Sequence, residues 1–179
     1  MAAQEWKIDN AHSDIHFMVH HLVVTRVRGR FMRWDGQLWI DEQDLPKSRV
    51  EVSIDAASIS TNDEKRDAHL RSADFLDVER FPKLTFKSTS LEQGAGGTLR
   101  LIGDLTIRDR TRSVTAEVEK LGTAKDPWGN QKIAFSGKLS INREDFGASW
   151  NQALEAGGLL VGKQVAIDID LQASPATAK

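Results

Sequence analysis

The chain has 179 residues, 40% of them hydrophobic and 28% charged, with a formal net charge of -2. The length suits one folded unit, and the charge gives no bulk field for nucleic acid. It contains no cysteine, which excludes a disulfide framework, a thiolate nucleophile and a cysteine-ligated metal.

The first strand is expected over residues 13–20, where Ile15, Phe17 and Val19 share one face and His16, Met18 and His20 the other. A second runs over 29–41 with Phe31, Trp34, Leu38 and Ile40. Its step from odd to even positions between Phe31 and Trp34 predicts a bulge, of the kind that curves a sheet toward closure. A third alternates Val50, Val52 and Ile54 with Glu51, Ser53 and Asp55. Residues 61–77 have helical character, with a capping box of Thr61 and Glu64 expected to start a short helix. Phe75, Leu76 and Phe81 then bring apolar bulk beside Pro82, which ends any helix and starts the fourth strand, carrying Leu84 and Phe86. Leu99, Leu101, Leu105 and Ile107 mark the fifth strand and Val114, Ala116 and Val118 the sixth, joined as a hairpin across the polar turn 108–111. Ile133, Phe135, Leu139 and Ile141 form the seventh. After a glycine-rich segment, Val165, Ile167, Ile169 and Leu171 form the eighth, and residues 173–179 are expected to be a loose tail.

Each strand has one apolar and one wet face, which disfavours a parallel α/β sheet with its doubly buried strands. The pattern predicts an all-β fold: an eight-stranded antiparallel barrel with a short helical insert between strands three and four, as one domain over 1–179. A β-sandwich satisfies the same alternation. No apolar run approaches the roughly 20 residues of a membrane-spanning helix. Met1 to Trp6 lack the basic start and apolar stretch of a secretory leader, so a cytoplasmic location is expected, or a periplasmic one if a leader has been removed.

The inward faces either fill one another or enclose one elongated ligand. Phe17, Phe31, Phe86, Leu105 and Phe135 combine bulk with inward register, and Val19, Trp34, Leu38, Ile107 and Leu139 extend that wall. Phe75 and Phe81 come from the helical insert. Phe146, Trp150, Leu154 and Leu160 belong to the glycine-rich stretch, read as a lid, as a permanent plug or as a patch buried against a second subunit. His20, near a barrel mouth, is placed to hydrogen-bond a polar head. His16 and His20 lie about 13 Å apart on a strand at ~3.3 Å per residue, too wide for one ion, so no metal site is expected. Arg66, Asp67, His69 and Ser72 supply the residue types of a hydrolase, yet no G-x-S-x-G elbow accompanies them, and their plainer role is to tie the helix to the barrel. Arg108, Arg110 and Arg112 form a basic hairpin tip, either a solvated turn or a contact for anionic lipid heads.

These residues combine into a pattern: Trp6-Lys7-Ile8-Asp9, Ser13-x-Ile15-x-Phe17-x-Val19-x-x-Leu22, Gly29-x-Phe31, Arg66-Asp67-x-His69-Leu70, Asp74-Phe75-x-Asp77, Phe81-Pro82-x-Leu84-x-Phe86, Gly103-x-Leu105-Thr106-Ile107 and Val161-Gly162-x-x-Val165-x-Ile167. In this pattern the chain resembles the YceI-like family of polyisoprenoid-binding proteins over nearly its whole length, the run from Thr61 to Phe86 being the specific part. The resemblance implies an elongated lipocalin-like barrel that binds a long-chain isoprenoid, a quinone or a similar fatty amphiphile in its pore. It implies storage or transport of that lipid, commonly as a homodimer with transient membrane contact, and brings no catalytic residues and no cofactor beyond the bound lipid. Two other readings stay open: an enzyme acting on isoprenoid lipids through His69 and Asp67, and a fully packed structural or stress-response module.

Overall fold

The computed structural model describes residues 3–152 and 160–176. Among these residues lie eleven strand segments: β1 (Gln4–Ile8), β2 (Asp14–His21), β3 (Thr25–Phe31), β4 (Trp34–Ile40), β5 (Arg49–Asp55), β6 (Ile59–Ser60), β7 (Lys83–Gln93), β8 (Leu99–Ile107), β9 (Arg110–Lys125), β10 (Gln131–Asn142) and β11 (Gln164–Pro175). One helix, α1 (Glu64–Arg71), separates β6 from β7.

The eleven segments make eight strands, because three strands are interrupted. β1 and β2 are parted by a tight turn at Asn10–His12, where the Ala11 amide donates to the Asp9 carboxylate. β3 stops at Phe31 and β4 resumes at Trp34, which is where the inward set changes from odd to even positions. β5 continues into β6 beyond a turn at Ala56–Ser58. The order β1-β4-β5-β7-β8-β9-β10-β11 returns from β11 to β1. Nearer its start β11 pairs instead with β2, β2 with β3, and β3 with β6. All pairs are antiparallel, so the sheet closes into an eight-stranded barrel in which sequence neighbours lie side by side.

β1 has no counterpart among the expected strands. It buries only Trp6 and Ile8, too few turns of alternation to register as a pattern, yet it closes the barrel by pairing with Ala173, Ser174 and Pro175. The tail expected to be loose is therefore strand as far as Pro175, and Ala173 is completely buried. Trp6, Ile8, Leu38, Ile40, Val50, Ile133 and Ala173 form the core of this closed end. A second cluster, including Ile15, Ile54, Leu84, Ile141 and Phe146, packs nearer the other end.

The start of α1 also departs from expectation. Asp63, not Thr61, is the N-cap, accepting the Arg66 amide at 3.0 Å, because Thr61 faces the other way. The Thr61 amide and hydroxyl both donate to the carboxylate of buried Asp67, the amide at 2.8 Å. The Arg66 side chain in turn donates to the Thr61 hydroxyl and carbonyl at 2.7 and 2.8 Å. Arg71 Nε donates to the Ala57 carbonyl at 2.9 Å, so the helix is fastened over the gap between β6 and β7.

Gly103, in the inward row of β8, is set by close approach. A Cβ there would run into the Phe86 ring and come within 2.6 Å of the Lys87 carbonyl oxygen. Gly103→Ala is expected to lower stability by about 1–3 kcal/mol, read as a shifted urea midpoint. An unchanged midpoint would mean that the Phe86 ring moves aside freely.

Candidate functional site

The inward rows do not meet across the barrel axis. They enclose a cavity of about 360 Å³, within the roughly 300–1,000 Å³ typical of small-molecule sites. Strand alternation builds its wall: Phe17 and Val19 on β2, Phe31 on β3, Trp34 on β4, Phe86 on β7, Leu105 and Ile107 on β8, and Leu139 on β10. The Phe17 and Phe31 rings lean on each other at 5.7 Å. A second cavity of about 100 Å³ lies toward the closed end, and Leu38 and Phe135 line this one rather than the first. Val50, Leu101, Ala116, Ile169 and Leu171 line both, so the two spaces adjoin along the axis.

Polar groups reach the larger cavity at the end that carries α1: His20, His21, Thr61, Arg66, His69 and Arg143. His69 Nε2 lies 2.7 Å from Asp74 Oδ2, and its ring stands edge-on to Phe75 and Trp150 at 5.0 and 4.6 Å. Its carboxylate partner is thus Asp74 and not Asp67, whose oxygen is taken by Thr61. The Ser72 hydroxyl donates to the His69 carbonyl at 2.6 Å and closes the helix. Arg66, Asp67, His69 and Ser72 are each engaged in holding α1, and they are not assembled as acid, base and nucleophile.

Phe81 reaches neither cavity. The Arg80 guanidinium stands over its ring at 5.0 Å and that of Arg108 at 5.9 Å; Phe81 precedes β7, so strand alternation does not set its direction. Arg108 differs from expectation too. It is not a free solvated charge: it donates to the Ala73 and Phe75 carbonyls at 2.9 and 2.7 Å, pinning the segment that follows α1.

The described parts of the glycine-rich stretch, residues 146–152 and 160–162, lie at the end of the cavity that carries α1. Leu154 lies outside the described residues. Asn151 clasps Val161, accepting its amide at 3.0 Å and donating to its carbonyl at 2.7 Å. The Leu22 amide donates to the Leu160 carbonyl at 2.9 Å, and the Gly162 amide to the His20 carbonyl at 2.8 Å. Phe146, Trp150 and Leu160 turn inward to the cavity. Beneath them Arg143, 6% exposed, donates to the carbonyls of Ala148 and Trp150 on one side and of Val161 and Gly162 on the other. Its guanidinium also sits 5.5 Å from the Phe75 ring centre. Burial pushes its pKa below the ordinary arginine value, with Glu144 acting in the opposite direction. An arginine so shifted still carries its charge at neutral pH. Sequence reasoning missed Arg143, because its acceptors are backbone carbonyls brought together only by the fold.

A family model described as a YceI-like domain matches residues 6–173. A UPF0312 protein of Staphylococcus epidermidis is 38% identical over 171 residues, covering 95% of this chain and 97% of its own length. The fold is similar to that of Burkholderia cenocepacia BcnA, with a TM-score of 0.81 at 22% identity over 92% of this chain and 98% of that one. It is also similar to a polyisoprenoid binding domain from Saccharophagus degradans implicated in plant cell wall breakdown, with a TM-score of 0.68 at 15% identity over 97% and 99%.

Proposed function

The chain belongs to the YceI-like family, and from that premise we propose that it binds a long-chain isoprenoid or similar amphiphile inside the barrel, as a carrier or store that leaves its cargo chemically unchanged. The observation that carries this reading is the apolar cavity of about 360 Å³ with its polar groups gathered at one end. An amphiphile matches that division: its tail lies along the two adjoining spaces, and its head stays at the mouth beside His20, Arg66 and His69. Each tail methylene withdrawn from water contributes roughly 0.8 kcal/mol, so a dozen of them offset the cost of ordering a flexible chain and still leave tight binding. The polyisoprenoid binding named for the Saccharophagus degradans domain suggests the class of tail.

Organic extraction of the purified protein followed by mass spectrometry is expected to release an apolar compound in near-stoichiometric amount. Protein stripped by denaturation and refolded should take up an added polyprenol or isoprenoid quinone at one per chain. A clean extract together with no uptake overturns the proposal.

A further inference from the structure

The tip of the β2–β3 hairpin has features that lipid enclosure does not require. Leu22, Val23 and Val24 are 43%, 60% and 80% exposed, and Leu22 and Val23 have φ of 55° and 68°, a region that β-branched residues avoid. These three residues form the loop between the paired His21 and Thr25, and left-handed positions in hairpin loops favour Gly, Asn or Asp, so polar residues here would be both less strained and better hydrated. Apolar bulk held against both penalties points to a partner for these side chains. From the tip, β3 carries Arg26, Arg28 and Arg30 along its outward face, all exposed, opposite His20, Met18 and His16. No carboxylate pairs with these three arginines among the described residues. Asp168 stands opposite His16 on β11, and Asp14 and Asp170 lie beside that same histidine, the member of the row farthest from the tip. The same hairpin forms the rim of the cavity: Val19, His20, His21 and Val27 line it, and the Leu22 amide donates to the Leu160 carbonyl.

We propose that this hairpin docks the mouth of the barrel on a lipid bilayer with anionic head groups, Leu22, Val23 and Val24 entering the interface while Arg26 and Arg28 meet lipid phosphates. The arginine row favours a membrane over a second copy of the chain, since a two-fold contact through this hairpin would bring the two rows of like charge together. Docking does not depend on what the cavity holds, so its test needs no cargo.

The full chain is expected to co-sediment with vesicles containing phosphatidylglycerol, to bind pure phosphatidylcholine vesicles more than tenfold more weakly, and to be released by salt. Val23→Asn with Val24→Asp is expected to weaken that binding at least tenfold without lowering the thermal midpoint, because Asn accepts the left-handed backbone that Val resists. Arg26→Glu with Arg28→Glu should weaken it by more than tenfold at low salt, on the basis of roughly fivefold for each basic residue at an anionic surface. Absent vesicle binding, equal binding to both vesicle types, or variants that bind like the parent overturn the proposal. A dimer that Val23→Asn with Val24→Asp dissolves, in a protein that ignores vesicles, overturns it in favour of a second copy.

Discussion

Arg143→Met is expected to lower stability by about 3 kcal/mol or more and to speed loss of bound lipid at least tenfold. Four backbone carbonyls converge on this one guanidinium, those of Ala148 and Trp150 from one side and of Val161 and Gly162 from the other. Hydrogen bonds to a charged donor contribute roughly 1.5–3 kcal/mol each when removed singly, but they are not additive here, since the segment relaxes once its anchor is gone and some carbonyls regain water. Methionine keeps much of the length and apolar surface of the side chain, so the change isolates the lost donors from a lost volume. Arg143→Lys should fall between, because an ammonium has three donors and lacks the planar fork that reaches both sides. Urea unfolding measures the first effect, and transfer of a fluorescent polyprenol from loaded protein to acceptor vesicles measures the second. Lower stability with unchanged transfer would make the segment a fixed plug, and no change in either would deny Arg143 its anchoring role.

Much of the barrel was legible because alternation is a direct image of a closed sheet: the eight predicted strands correspond to the eight that form, and the Phe31–Trp34 slip marks a real interruption. β1 was not legible, since it shows two inward residues and draws its stability from partners more than a hundred positions away, Ala173 to Pro175. The capping-box expectation failed at Thr61 because a competing local contact won: the hydroxyl that would cap α1 is claimed by Asp67 from the helix itself. Among the candidate wall residues, inward parity placed Phe17, Phe31, Phe86 and Leu105 at the cavity. It could not say at what height along the axis each would sit, so Leu38 and Phe135 proved to lie deeper. Phe81 belongs to no strand, and parity had nothing to say about its direction. Arg143 shows the same limit from the polar side, for its acceptors are carbonyls, which carry no signature in sequence.

Gly137→Leu is expected to stabilise the empty protein by about 2 kcal/mol while weakening long-chain isoprenoids roughly a hundredfold and sparing short ones. Gly137 stands in the inward row of β10 between Phe135 and Leu139, and it lines the deeper cavity. Unlike Gly103, it is not crowded: the nearest atoms to an added Cβ are those of Ile169 and Val118, both at 3.9 Å. A leucine there occupies space that is otherwise unfilled, and its buried carbons contribute about 0.8 kcal/mol each, less the cost of fixing the side chain. For a lipid whose tail extends into this end, the same leucine displaces about four methylenes at about 0.8 kcal/mol apiece, close to a hundredfold in affinity. A lipid short enough to end in the larger cavity loses nothing. Titrating polyprenols of increasing length against both proteins therefore maps the tail. Parallel affinity curves at every length would show that the deeper space takes no part in binding, and a uniform loss at every length would show that the leucine had distorted the barrel instead.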